Sequence, residues 1–231
     1  MRHSIALKTT LGLRWLVLTL LVCSYPIATL LPTSAGWENG WIEDLQLAVL
    51  VAGLGCALWS RRPGAMARPT QDISRPRLAT IAVPVWLLCT ARETSWGATL
   101  LTPGMPTGEG RYYTSSVLWY HPMIAPVVLV VLAGAVVAFV RWRLDRPLLQ
   151  LVRDHRFPWP ELALMGLAAA LSTLAEGKLP ITVPGSEQMR MVMEEGTELL
   201  CYAALFLVQA RLFTEMAEMA VPARPISPPR A

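Results

Sequence analysis

Three short polar segments interrupt long apolar runs in this chain: Glu43-Asp44-Leu45-Gln46, Ala91-Arg92-Glu93 and Glu194-Glu195-Gly196-Thr197-Glu198. On a helix, Glu194 and Glu198 stand four apart and share a face, with Thr197 and Cys201 close by. Glu43 and Gln46, three apart, share another face. Ionised carboxylates on one face repel each other unless an arginine, a metal cation or a shared proton compensates them. Arg92 is the only basic residue deep in an apolar run, so it is expected to pair with Glu43, Glu93 or Glu198.

Such a set of carboxylates suits three kinds of chemistry. It can be an ion-pair and hydrogen-bond network that holds helices together. It can bind a small cation or pass protons. It can also serve a membrane-embedded enzyme that acts on a lipid or envelope substrate, through a divalent metal or through acid and base groups. In that case Glu93, His121, Glu194 and Glu198 are the oxygen and nitrogen ligands in reach. No HExxH, HxxxH, GxSxG or Walker pattern occurs, so the sequence does not decide whether the chain is an enzyme. His3 and His155 fall at the opposite membrane surface from His121.

The elements that must position these groups follow from composition. Of 231 residues, 54% are hydrophobic and 16% charged, whereas a soluble domain carries about 25% charged residues. Six apolar runs, at 15–33, 41–60, 78–100, 121–140, 159–176 and 191–213, approach the ~20 residues that a ~30 Å hydrocarbon core requires. The expected fold is therefore an all-α, polytopic bundle of six transmembrane helices in one domain, 1–218. The Arg/Pro/Ser-rich segment 219–231 reads as a disordered cytoplasmic tail. Pro26, Pro84 and Pro126 fall inside runs and predict kinks.

Basic residues orient the bundle. Sixteen of twenty lie before the first run, in the 61–77 and 141–156 connectors, or at the C-terminal end. Arg111, Lys178 and Arg190 lie on the other side. This bias places both termini and the two arginine-rich connectors in the cytoplasm, and it points to the inner (plasma) membrane. A basic start before an apolar run also resembles a signal peptide, but the run is long for one and is read as a retained span. Trp37, Trp41, Trp59, Trp119, Trp142 and Trp159 fall near run ends, where an indole N–H stays wet.

With that orientation the polar segments converge. Glu43, Asp44, Gln46, Arg92, Glu93, His121, Glu194, Glu195 and Glu198 all fall in the outer half, together with ten of the sixteen acidic residues. Counting 1.5 Å per residue from the outer ends puts Glu93 and Glu198 at roughly the same depth, about 10–12 Å.

The remaining features are structural by default. The net charge of +4 reflects topology, and no connector is long enough for a folded nucleic-acid-binding domain. Partners are instead the lipid bilayer and a small cation or lipid ligand. The four cysteines, Cys23, Cys56, Cys89 and Cys201, act as small apolar residues within the runs. Ala133, Gly134, Ala135 and Ala138 in the fourth run and Gly166, Ala168, Ala169 and Ala170 in the fifth permit close helix packing. The outer connector 101–120, with its glycines and aromatics, could rest in the headgroups or cover the acidic groups.

Overall fold

The computed structural model describes residues 2–37, 40–62, 73–102, 104–107, 110–181 and 183–219. The chain is built from helices: α1 (Arg2–Val22), α2 (Ser24–Leu30), α3 (Trp41–Ser60), α4 (Ser74–Glu93), α5 (Ala98–Leu101), α6 (His121–Arg141), α7 (Asp145–Arg153), α8 (Trp159–Ala175) and α9 (Glu187–Met219). A small antiparallel hairpin, β1 (Met105–Thr107) with β2 (Gly110–Tyr112), interrupts them in the outer connector. Apart from Met219, which closes α9, the expected tail lies outside the described residues.

α3, α6 and α9 are each long and apolar enough to cross a membrane, and α1 with α2 can make a fourth crossing. That pair bends by 66° at Cys23. Pro26 explains the break: it has no N–H for the carbonyl of Val22, and its ring crowds that carbonyl. The helix runs unbroken through Pro84 and Pro126. α8, at 17 residues, is shorter than the other candidates. α4 has 20 residues but carries Arg75, Arg77, Arg92 and Glu93 at its ends.

The third expected run is shifted. α4 starts at Ser74, not 78, and stops at Glu93, not 100. Ser95, Trp96 and Gly97 then take left-handed conformations, with φ of 46°, 59° and 91°. The Tyr120 hydroxyl donates to the Trp96 carbonyl at 2.7 Å and so holds this turn. Trp96 and Tyr120 pack on a small separate core of Ala98, Tyr113 and Leu118. The aromatics of this connector thus largely pack on each other, while Trp119 is 90% exposed.

α9 is the axis. At 33 residues it extends about 50 Å, well beyond a ~30 Å hydrocarbon core. α1, α2, α3, α4 and α8 all pack against it. Val17, Leu21, Leu164, Ala168, Leu200, Ala204 and Leu207 join α1, α8 and α9, and Leu50, Ala57, Trp86 and Tyr202 join α3, α4 and α9. α6 stands at the edge against α4 and has no buried residue.

In the middle of the α3–α4–α9 contact lies one polar group. The Trp86 indole N–H donates to Gln209 Oε1, and Gln209 Nε2 donates to the Gly53 carbonyl at 3.0 Å. Gln209 is thereby satisfied on both sides of its amide. Gly53 is needed because a Cβ there would meet the Trp86 ring at 2.5 Å, whereas a Cβ at Gly55 would meet nothing within 4 Å. Gly53→Ala should therefore cost about 1–3 kcal/mol of stability through overpacking. Gly55→Ala should leave stability unchanged or slightly higher. Thermal unfolding of both purified variants in one detergent checks the contrast.

Candidate functional site

Most of the polar residues expected in the outer half meet where α3, α4 and α9 pack. Glu195, Glu198 and Tyr202 lie at positions i, i+3 and i+7 of α9 and so form one stripe. Arg92 and Glu93, at the last turn of α4, face that stripe. Arg92 Nη1 pairs with Glu198 Oε1, donates to the Tyr202 hydroxyl at 2.8 Å, and stands 4.0 Å from Glu93 Oε2. The Tyr202 hydroxyl lies 2.9 Å from Glu93 Oε2 and 3.2 Å from Glu198 Oε1. With one proton it donates to one carboxylate at a time while accepting from Arg92. From α3, Gln46 Nε2 donates to both the carbonyl and the carboxylate of Glu195, each at 2.9 Å.

One carboxylate oxygen each from Glu93, Glu195 and Glu198 can be chosen so that all three lie within 4.8 Å of one another. The Glu93 and Glu198 side chains are only 7% and 16% exposed, whereas that of Arg92 is 61% exposed. Arg92 thus stands at the mouth, and the carboxylates sit behind it. Three carboxylates face one guanidinium, a surplus of two negative charges when all three are ionised.

The other expected residues fall at or outside the rim. Glu43 is half-buried and feels the charge of Glu93, while Asp44 is exposed. Glu194 feels Glu176 and Lys178, which pair with each other at 2.5 Å, as well as Glu198 and Arg92. His121 is exposed at the start of α6. Neither Glu194 nor His121 belongs to the three-carboxylate group, and Glu195 takes the place expected of Glu194. The reason is packing: the stripe that meets α3 and α4 is the one that continues through Tyr202, and Glu194 lies off it. Cys89 and Cys201 border the site as half-buried thiols. Tyr202 was not foreseen from the sequence, although its place four residues after Glu198 is a usable signal.

A second polar cluster, also unforeseen, ties the other ends of the helices. Glu161 of α8 is 1% exposed and accepts from Arg211 Nη1 at 3.0 Å, with Arg14 Nη1 at 3.9 Å. Arg211 Nε stands 3.8 Å from Glu215, and Arg156 bridges to Glu215 at 2.7 Å and to Glu218. Three arginines answer three glutamates, so this cluster is balanced. It joins α1, α8 and α9, with Glu161 Oε2, Arg211 Nε and Glu215 Oε2 buried and without a hydrogen-bond partner.

No protein family matches this chain, and neither a curated protein nor a solved structure does.

The balanced cluster should be purely stabilising. Glu161→Ala removes the buried anion shared by Arg14 and Arg211 and should cost on the order of 3 kcal/mol. Glu218→Ala, at a carboxylate that is 31% exposed, should cost under about 1 kcal/mol. Apparent Tm values in detergent, compared with the unmodified protein, check the ranking.

Proposed function

We propose that this protein crosses the inner (plasma) membrane six times, with both termini in the cytoplasm, and binds a small cation, either a proton or a metal ion, in its outer half. The spans are then α1 with α2, α3, α4, α6, α8 and α9. The arginine bias supports this orientation, because it puts the charge-balanced cluster at the cytoplasmic ends and the three-carboxylate group toward the outside. The observation that carries the cation reading is the surplus itself: Glu93, Glu195 and Glu198 against Arg92 alone. Charged groups placed in the bilayer are costly and are retained where they bind or move ions.

The competing reading is a network that only holds helices together, and the Arg92–Glu198–Tyr202 bonds favour it. The two readings differ in the sign of one effect. A structural network loses stability with every member removed. A cation site emptied of its cation suffers from its own surplus charge, so neutralising one carboxylate relieves it. In an alkaline buffer containing a chelator, Glu93→Gln and Glu195→Gln should raise Tm by roughly 2–4 °C, the range that ~1 kcal/mol produces in a chain of this size. Arg92→Gln should lower it. A fall in Tm for both glutamate variants would establish the network and end the cation reading.

The orientation has its own test. In a chain lacking its four native cysteines, Ser115→Cys and Ser186→Cys should react with a membrane-impermeant maleimide on intact cells. Asp154→Cys should react only after permeabilisation. The reverse pattern would invert the topology and move the carboxylates to the cytoplasmic half.

A further inference from the structure

We infer that the ion held at this site is a divalent cation that prefers oxygen ligands, and that the side-chain oxygen of Gln46 is its neutral ligand beside Glu93, Glu195 and Glu198. The inference rests on the reading of this cluster as a cation site and gives that site a ligand class.

Gln46 supplies the independent observation. It is fully buried, at 0% exposed. Its Nε2 donates to two acceptors of Glu195, the backbone carbonyl and carboxylate Oε2. The backbone carbonyl has no proton to give, so the orientation of the amide is fixed and the other atom must be the oxygen. That oxygen, Oε1, is buried and has no hydrogen-bond partner. An unsatisfied buried acceptor costs about 1–3 kcal/mol, and Gln209, the other buried glutamine in this bundle, avoids the cost completely. Gln46 therefore carries a free acceptor on an amide bonded to Glu195, one of the three carboxylates of the site.

Charge and geometry select the ion. The surplus of Glu93, Glu195 and Glu198 over Arg92 is two negative charges, which one divalent cation neutralises and one monovalent cation does not. Ligand oxygens about 2.0–2.6 Å from a hard divalent cation lie up to about 5 Å apart, and the three carboxylate oxygens fall within 4.8 Å of one another. The set is made of oxygens. Cys89 and Cys201 are close enough to feel its charge but do not belong to the group. Oxygen ligands suit magnesium, calcium or manganese over zinc or copper. Arg92 is the tethered competitor: it shares Glu198 with the ion, and its side chain is 61% exposed.

The test titrates manganese(II) alone into the full-length, chelator-stripped protein in detergent, with free ion followed by electron paramagnetic resonance. We expect saturable binding of one ion per chain, displaced by calcium or magnesium. Glu198→Gln and Gln46→Leu should each weaken it about tenfold or more, and Arg92→Gln should tighten it. Where Gln46→Leu does not elute as a single species, Gln46→Met serves instead, since it also lacks the amide. Binding of equal strength in the wild type and the Gln46 variant overturns the assignment of Gln46. Absence of saturable manganese binding, while Tm still responds to protons or monovalent cations, overturns the divalent ion and leaves the cation site standing. Absence of any response to protons, monovalent or divalent cations overturns both.

Discussion

Hydrocarbon offers no hydrogen bonds, so every polar side chain placed in it has to be answered by another part of the protein. α9 meets this constraint at three stations along one long helix. Near its cytoplasmic end under the proposed orientation, Arg211 and Glu215 take part in a cluster of three cations and three anions. Two residues before Arg211, Gln209 joins the Trp86 indole to the Gly53 carbonyl and leaves neither half of its amide unused. In its first half, Glu195, Glu198 and Tyr202 meet Glu93, Arg92 and Gln46. The second station is closed, and the first is balanced in charge although Glu161 Oε2, Arg211 Nε and Glu215 Oε2 have no hydrogen-bond partner. The third keeps two uncompensated charges and one unanswered oxygen, and it is also the one with an exposed side chain, Arg92, at its mouth.

The difference between the stations is informative because all three belong to the same helix and the same packing. α3 and α4 clamp both the second and the third station, so a general looseness of this interface cannot account for the imbalance at the third. Trp86 fits against Gly53 with no room for a methyl group, a few turns from Gln46. A scaffold that rigid holds the carboxylates in place against their mutual repulsion. Natural proteins keep such local instability where it serves binding, and it is offset by packing elsewhere.

Much of the helical pattern was legible in the amino-acid sequence, because apolar runs and their lengths report on helices directly. The second run coincides with α3 at 41–60, and the fourth, at 121–140, with α6 to within one residue. The third run failed at its far end, since the apolar residues from 98 onward lie beyond 95–97, where the backbone turns left-handed under the Tyr120 hydroxyl. The site was legible as a depth but not as a set of neighbours. Counting residues placed Glu93 and Glu198 level, and they share the Tyr202 hydroxyl. Spacing alone favoured Glu194 with Glu198, whereas the contact of α9 with α3 and α4 selects Glu195. His121 was placed in the outer half too, but α6 lies at the edge of the bundle, which a depth cannot reveal. The inner cluster was hidden for another reason: Arg14, Arg156 and Arg211 were read as markers of topology, and a residue that marks a membrane side can also bind Glu161.

The central claim is that the surplus charge on Glu93, Glu195 and Glu198 is neutralised by cations that exchange. Infrared difference spectroscopy of the purified protein, recorded with and without a divalent cation, observes the carboxylic-acid C=O stretch directly. The account predicts that a protonated-carboxyl band present in chelator disappears on adding the cation, with release of protons to the medium, and that Glu195→Gln diminishes the change. A spectrum that does not alter between the two conditions would contradict it.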